Sequence, residues 1–142
     1  MIKIFTCDTW FSKCVRERSF WTCERCGSHF PEGTDRRGLH CSHYFGRGNW
    51  STRFDPANAW AHCYGCHRYL GSNPMAFTDW VISQIGQARL EMVAELRLDT
   101  SVGRLAKRSK TEIARHYRRE HERMTIMRRR GKVGRIEFES WH

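Results

Sequence analysis

Two CxxC pairs constrain this chain more than any other feature of its sequence. Cys23 and Cys26 form the first pair, and Cys63 and Cys66 form the second, with 36 residues between the pairs. Four thiolates from two such pairs can bind one tetrahedral zinc ion through bonds of about 2.3 Å. Because sulfur would fill all four positions, the predicted site is structural rather than catalytic. The fold must bring the pairs together, and the long segment between them leaves room for a hairpin.

Length and composition limit the class of protein further. The chain has 142 residues, enough for one modest domain with an extension. No apolar run approaches the roughly 20 residues of a membrane-spanning helix, and the first residues lack the basic start and apolar region of a secretory signal. We therefore expect a cytoplasmic protein without a membrane partner. In that compartment thiols stay reduced, so CxxC pairs favour metal over disulfides.

Positive charge is concentrated toward the C-terminus. Residues 104–135 contain thirteen Lys or Arg against three Glu, and the rest of the chain is neutral, within a net charge of +10. This density exceeds what solubility needs and predicts contacts with nucleic-acid phosphates, although a solvated helix face is the alternative. The arginines predicted to contact DNA here are Arg115, Arg118, Arg119, Arg128, Arg129 and Arg130.

Hydrophobic spacing predicts an α+β fold in which helices surround a short hairpin. The hairpin strands are expected over residues 39–45 and up to about residue 63, with a turn at 46–49. Asp8 is the expected cap of the first helix, and Asn73 that of the helix beginning at Pro74. The helices are predicted over residues 8–19, 65–70, 74–85, 88–98 and 110–130.

The segment DTSVG at residues 99–103 is the best candidate for an internal boundary. It divides the chain into residues 1–98, which hold the cysteine pairs, and residues 99–142, a basic helical extension for DNA binding or oligomerisation. The last helix carries a thin apolar stripe, formed by Ile113, Tyr117, Met124 and Met127. The stripe predicts packing against the body of the protein or against a second subunit, so a homodimer is the weaker prediction. The tail after this helix shows no informative pattern.

Three residues around the second cysteine pair form a further motif. His43, Asn58 and His67 occur in that order, and His67 directly follows the second CxxC. This order resembles the HNH, or ββα-metal, nuclease finger. More closely, FSKCVRER before CxxCG, followed by CSHYFGRGNWSTRFDPANAWAHCYGCHRYLGSNP, resembles the NinG/Rap recombination endonucleases of lambdoid phages. The similarity covers about residues 10–90 and implies a zinc-stapled HNH finger embedded among helices.

The resemblance also implies a role for each residue of the motif. His43 would be the general base that activates the attacking water, a task suited to a histidine of near-neutral pKa. Asn58 would hold the hairpin and orient His43. His67 would bind a catalytic divalent cation, Mg²⁺ or Mn²⁺, which polarises the scissile phosphate. Hydrolysis would leave 5'-phosphate ends.

The chain departs from the common HNH pattern at the residue before the first histidine. An aspartate that binds metal often stands there, and this chain has Ser42. Asp55 is the first candidate for the missing ligand, and His40 is the second. Three arginines surround the proposed site in the sequence and are predicted to contact DNA phosphates, with ordinary surface charge as the alternative: Arg47, Arg53 and Arg68.

Three functions are compatible with these expectations. The leading one is a metal-dependent DNA endonuclease of phage recombination that cuts branched DNA, such as Holliday junctions and D-loops, in the host cytoplasm. The branched substrate follows from the resemblance alone. A zinc-finger regulator that binds DNA without cutting it would need the cysteines and the basic segment but not the histidine motif. A sequence-specific HNH nicking or homing-type endonuclease shares the chemistry and differs in substrate.

Overall fold

The computed structural model describes residues 1–31 and 38–142. The described part is a small α+β structure with six α-helices and a two-stranded sheet. The α+β class is as predicted, and the helix at Thr100–Arg108 is additional to the five predicted helices. No helix in it is both long enough and apolar enough to span a bilayer. In chain order the elements are α1 (Thr6–Arg18), β1 (Leu39–His43), a 3-10 helix (Pro56–Asn58), β2 (Ala59–Cys63), α2 (Tyr64–Ser72), α3 (Pro74–Ile85), α4 (Gln87–Arg97), α5 (Thr100–Arg108) and α6 (Lys110–Arg129).

Helix α1 begins two residues earlier than predicted. The carboxylate of Asp8 accepts a hydrogen bond from the backbone N–H of Phe5 at 2.8 Å, so Asp8 caps the helix from its third position. Phe11, Cys14 and Val15 are buried at helical spacing on one side of α1. This side packs in the main core, which also receives residues of α6.

The two strands pair in an antiparallel register, with Leu39 opposite Cys63 and His43 opposite Ala59. One face of the sheet belongs to the core beneath α1, and the other carries Trp60, which packs with residues of α2 and α3. β1 ends at His43 rather than at residue 45. The reason is local: the N–H of Phe45 bonds to the side chain of Asn58 at 2.8 Å instead of to a paired strand.

The predicted boundary at residues 99–103 is the start of a helix. The carboxylate of Asp99 accepts hydrogen bonds from the N–H groups of Ser101 and Val102 at 3.0 and 3.3 Å. Its carbonyl accepts one from the Ser51 hydroxyl at 2.7 Å. Gly103 permits this approach, because a Cβ there would lie 3.0 Å from the Ser51 oxygen. Asp99 therefore anchors α5 to the loop before β2 and does not lie in a linker.

The apolar stripe of α6 packs within the same chain. Ile113, Tyr117 and Met124 are fully buried in the main core, which favours the body over a second subunit as their partner. The tail after α6, for which the sequence shows no informative pattern, contributes Ile136 and Phe138 to the same core. Residues on both sides of the predicted boundary thus share one buried cluster.

Candidate functional site

The four predicted zinc ligands lie together. The sulfur atoms of Cys23, Cys26, Cys63 and Cys66 are all within 4.8 Å of one another, the one such group of potential ligands among the described residues. The sulfurs of Cys26 and Cys63 are 3.8 Å apart. A tetrahedral zinc site with bonds of about 2.3 Å has sulfur–sulfur edges of about 3.8 Å. The cluster therefore has the donor atoms and the spacing to hold a zinc ion.

Local backbone geometry builds this cluster. Gly27 has a positive φ of 78°, which allows a tight turn after Cys26. Cys63 caps α2, and its sulfur accepts a hydrogen bond from the N–H of Cys66 at 3.4 Å. Hydrogen bonds from Ser28 lower the pKa of Cys26 to about 6, which favours its thiolate. The thiolate is the form that a metal binds.

A polar cavity of about 290 Å³ holds His67 and His40. The two rings are stacked, with centroids 5.1 Å apart. Nδ1 of His67 shares a hydrogen bond of 3.0 Å with the hydroxyl of Ser42, which leaves Nε2 as the ring atom for a cation. Nε2 of His40 is buried without a hydrogen-bond partner in the described part of the chain. Ser42 therefore orients the ring of His67. In the common HNH pattern, the position of Ser42 is often occupied by an aspartate that binds metal.

Both histidines of the polar cavity are held in the neutral form. Burial lowers the pKa of His40 and of His67, and the guanidinium of Arg47 lowers that of His67 further. A neutral imidazole is the form that binds a metal ion. Arg16 and Arg47 also line this cavity, which makes it a place where an anion and a cation could bind side by side.

Asp55 belongs to a different part of the molecule. Its carboxylate accepts a hydrogen bond from the N–H of Ala57 at 2.7 Å and caps the 3-10 helix. It lines a separate cavity together with Arg18 and Trp60. Of the two candidates for the second cation ligand, the structure therefore favours His40, and the preference for Asp55 is corrected.

His43 is oriented by the loop that follows β1. Its Nε2 lies 3.0 Å from the carbonyl oxygen of Arg53. A carbonyl only accepts hydrogen bonds, so Nε2 must carry the hydrogen, and Nδ1 then has a lone pair that can accept a proton. Burial, with a further contribution from Arg47, lowers the pKa of His43 to about 3. The ring is therefore neutral at pH 7.

Asn58 holds this loop at both ends. Its amide oxygen accepts from the N–H of Phe45 at 2.8 Å, and its amide nitrogen donates to the carbonyls of Phe45 and Thr52 at 2.9 and 3.0 Å. Asn58 is fully buried, so these bonds satisfy a group that cannot reach water. By fixing Thr52, Asn58 also fixes the neighbouring carbonyl of Arg53 to which His43 is bonded. Asn58 thus holds the hairpin in the predicted way.

His43 and His67 line neighbouring cavities rather than one. His43 lines an aromatic cavity of about 390 Å³, to which α2 contributes Gly71. His67 lies one helical turn before Gly71 on the same helix, and it lines the polar cavity. The two cavities therefore follow each other along α2.

Arg53 is a structural residue, and its predicted contact with DNA is wrong. Its side chain is 2% exposed and forms a two-point ion pair with Asp8, in which Nε and Nη2 each lie 2.8 Å from a carboxylate oxygen. Two further N–H groups donate to the carbonyls of Lys3 and Arg47 at 2.7 and 3.2 Å. With these bonds made, the guanidinium has no exposed edge to offer a phosphate.

The other arginines near the site remain available to an anion. Arg47 is half-buried in the polar cavity, and its Nε is without a hydrogen-bond partner among the described residues. Arg68 is exposed on α2. Sequence reasoning missed Arg16, which lies on the cavity side of α1 together with Asp8 and Ser12. Their i, i+4, i+8 spacing on one helix is the signal that could have identified it.

The arginines predicted to contact DNA in α6 and at its C-cap divide into two groups. Arg128 is half-buried, donates to the carboxylate of Glu17 at 2.9 Å and lies over the ring of Phe20, so it joins α6 to α1. This engagement removes it from the predicted DNA-contacting set. The others are exposed and keep that prediction: Arg115, Arg118, Arg119, Arg129 and Arg130.

Comparisons with protein-family models, with curated proteins and with solved structures find no match for this chain. The geometry of the two cavities and the cysteine cluster is therefore the basis for assigning a function.

Proposed function

We propose that this protein is a metal-dependent DNA endonuclease of the HNH type that hydrolyses phosphodiester bonds in branched DNA during phage recombination. The observation that carries the proposal is the hydrogen bond from His43 to the Arg53 carbonyl, because it leaves Nδ1 as a proton acceptor. His43 lines the aromatic cavity, which neighbours along α2 the polar cavity that holds two histidines and two arginines. The order β1, β2, α2, with the cysteine cluster at the junction of β2 and α2, resembles that of an HNH finger.

In this proposal His43 removes a proton from the attacking water. A base with a pKa of about 3 is weak in the free protein, since a general base works best near the operating pH. Arg47 is one cause of that low pKa. A phosphate bound at Arg47 would offset the positive charge and raise the pKa of His43. Binding of DNA would thus strengthen the base where it is needed.

His67 and His40 would hold the divalent cation, with Ser42 fixing the His67 ring. Imidazole nitrogen is a softer donor than the oxygen ligands that Mg²⁺ prefers. The pair therefore fits a transition-metal ion better than Mg²⁺, which favours Mn²⁺ of the two predicted cations. When bound, such a cation would polarise the scissile phosphate and stabilise the leaving 3' oxygen.

A zinc module that binds DNA without cutting it is the competing function. The cysteine cluster and the exposed arginines of α6 would serve it equally well. It would have no use for the bond that fixes the His43 ring, or for a half-buried histidine pair beside Arg47.

Replacement of His43 tests the proposal directly. We expect His43→Ala to slow single-turnover cleavage of a four-way junction in Mn²⁺ by about 10²–10⁴-fold, the usual contribution of a general base. Zinc content and junction affinity should stay near those of the unmodified protein. His116→Ala is the matched control, because the Nε2 of His116 also bonds to a carbonyl, that of Glu139 at 2.9 Å, and it lines neither cavity along α2. A folded His43→Ala protein that still cuts at the original rate would eliminate the HNH assignment.

Substrate and metal separate the remaining alternatives. The four-way junction should be cut faster than a linear duplex of the same sequence. Binding without cleavage in Mn²⁺ and in Mg²⁺ would favour the regulator. Cleavage of linear duplex at one sequence only would favour the nicking or homing-type enzyme.

A further inference from the structure

The cavity that His43 lines is aromatic. Of its lining residues, only His43 has a role in the proposed hydrolysis. The rings of Tyr44, Phe45 and Phe77 line it. Tyr44 packs edge-on against Phe45 and Phe77, with centroids 4.8 and 5.2 Å apart. The volume of about 390 Å³ lies in the range of pockets that bind small organic groups. The lining fits a flat apolar ring.

Two glycines line this cavity. Beyond the neighbouring residues and the backbone of the same helix, no described atom lies within 4 Å of a Cβ built on Gly46 or Gly71. Gly71 lies in α2, where alanine would favour the helix more than glycine does. Gly71 therefore adds no side chain to the cavity lining on α2, next to Leu70, which also lines it.

One arginine packs against the lining of the aromatic cavity, and others lie elsewhere on or near α2. The guanidinium of Arg97 lies 5.0 Å from the ring centroid of Phe45. Arg68 is exposed on α2, and the polar cavity with Arg47 is one helical turn away. A ring-binding pocket next to an anion-binding pocket matches the alternation of bases and phosphates along a DNA strand.

We propose that the aromatic cavity binds one unpaired base of DNA, adjacent to the phosphate in the polar cavity. The inference rests on the proposed function and deepens it, because it names what would distinguish branched from linear substrates. A base in a regular duplex is paired and stacked, and it enters a side pocket only after both contacts are broken. Junctions offer bases for which that cost is lower. Stacking on aromatic rings accepts every base, so selection by structure needs no sequence preference.

A scan with abasic nucleotides tests the inference by binding alone. Each nucleotide near the crossover of a fluorescein-labelled four-way junction is replaced in turn by an abasic site, and affinity is measured without Mn²⁺ or Mg²⁺. At one position, loss of the base should weaken binding to the unmodified protein by about 5- to 150-fold, the range measured for stacking on an aromatic side chain. In Gly71→Val, which adds a side chain to the cavity lining, the same abasic site should have little effect.

Gly65→Val is the matched control, since Gly65 is exposed on the same helix, has equally open space and lies outside the cavity. It should keep the full abasic effect. Phe45→Ala is a second cavity variant in case Gly71→Val does not fold, as judged by zinc content and melting temperature.

The inference is overturned if no abasic position weakens binding to the unmodified protein. It is equally overturned if the effect persists in both Gly71→Val and Phe45→Ala. Failure of the inference and failure of the proposed function give different results. A protein that binds DNA in a base-dependent way but never cleaves it supports the base-binding cavity and rejects the endonuclease function. Cleavage without any base dependence keeps the endonuclease and rejects the pocket.

Discussion

Replacement of Arg53 by methionine is expected to remove a large part of the protein's stability rather than to weaken DNA binding alone. Arg53 and Asp8 are 2% and 4% exposed and share two contacts of 2.8 Å. Methionine keeps much of the side-chain length and removes the charge, so Asp8 would remain buried and unpaired. Two backbone carbonyls, those of Lys3 and Arg47, would lose their donor as well.

The expected loss is about 3–5 kcal/mol in the free energy of unfolding, the usual cost of removing one partner of a buried ion pair. For a chain of this size, such a loss lowers the melting temperature by roughly 10–20 °C. The double variant Asp8→Asn with Arg53→Met should recover much of the loss, because it leaves no unpaired buried charge. Asparagine also keeps an oxygen for the N–H of Phe5 that Asp8 caps.

Urea unfolding at a fixed zinc concentration measures these differences, since a ligand that binds only the folded state changes apparent stability. Arg68→Met is the matched control, because Arg68 is exposed and an exposed substitution changes stability by about 0.5 kcal/mol or less. The reasoning is refuted if Arg53→Met is as stable as Arg68→Met and loses affinity for DNA. Arg53 would then be the phosphate contact that its sequence position suggests.

Three further predictions concern the metal, the base and the basic helix. Purified protein should hold about one zinc ion per chain, which metal analysis measures. Cys66→Ser should unfold the finger, because structural zinc contributes folding free energy directly, and circular dichroism measures that loss of structure. Arg47→Met should raise the pKa of His43, because Arg47 lowers it. The base is active only when deprotonated, so the acidic limb of the pH profile of kcat/KM should move to higher pH. An unmoved limb would contradict the assignment of His43 as the base. Neutralising Arg129 and Arg130 together should reduce the slope of log affinity for DNA against log salt concentration by up to about 0.9 per lost phosphate contact. An unchanged slope would show that the two arginines are solvated and do not contact DNA.

Local features of the sequence determined the cysteine cluster and most of the secondary structure. The two cysteines of a CxxC pair are neighbours in the sequence, so the pattern alone identifies them as zinc ligands. In the structure all four sulfurs lie within 4.8 Å of one another. Helix α6 was predicted within a residue of its observed end, because apolar spacing over many turns is a strong signal. The Asn58 contacts also span a short stretch of chain, 6 to 13 residues.

Only the tertiary structure decided which charged residues are structural. Arg53 meets Asp8 across 45 residues, and Arg128 meets Glu17 across 111. No local pattern distinguishes these arginines from exposed neighbours of the same type. The tail of the chain also joins the core through Ile136 and Phe138, which pack with residues distant in sequence. Whether a side chain is buried depends on partners that are distant in sequence, and the fold alone brings those partners together.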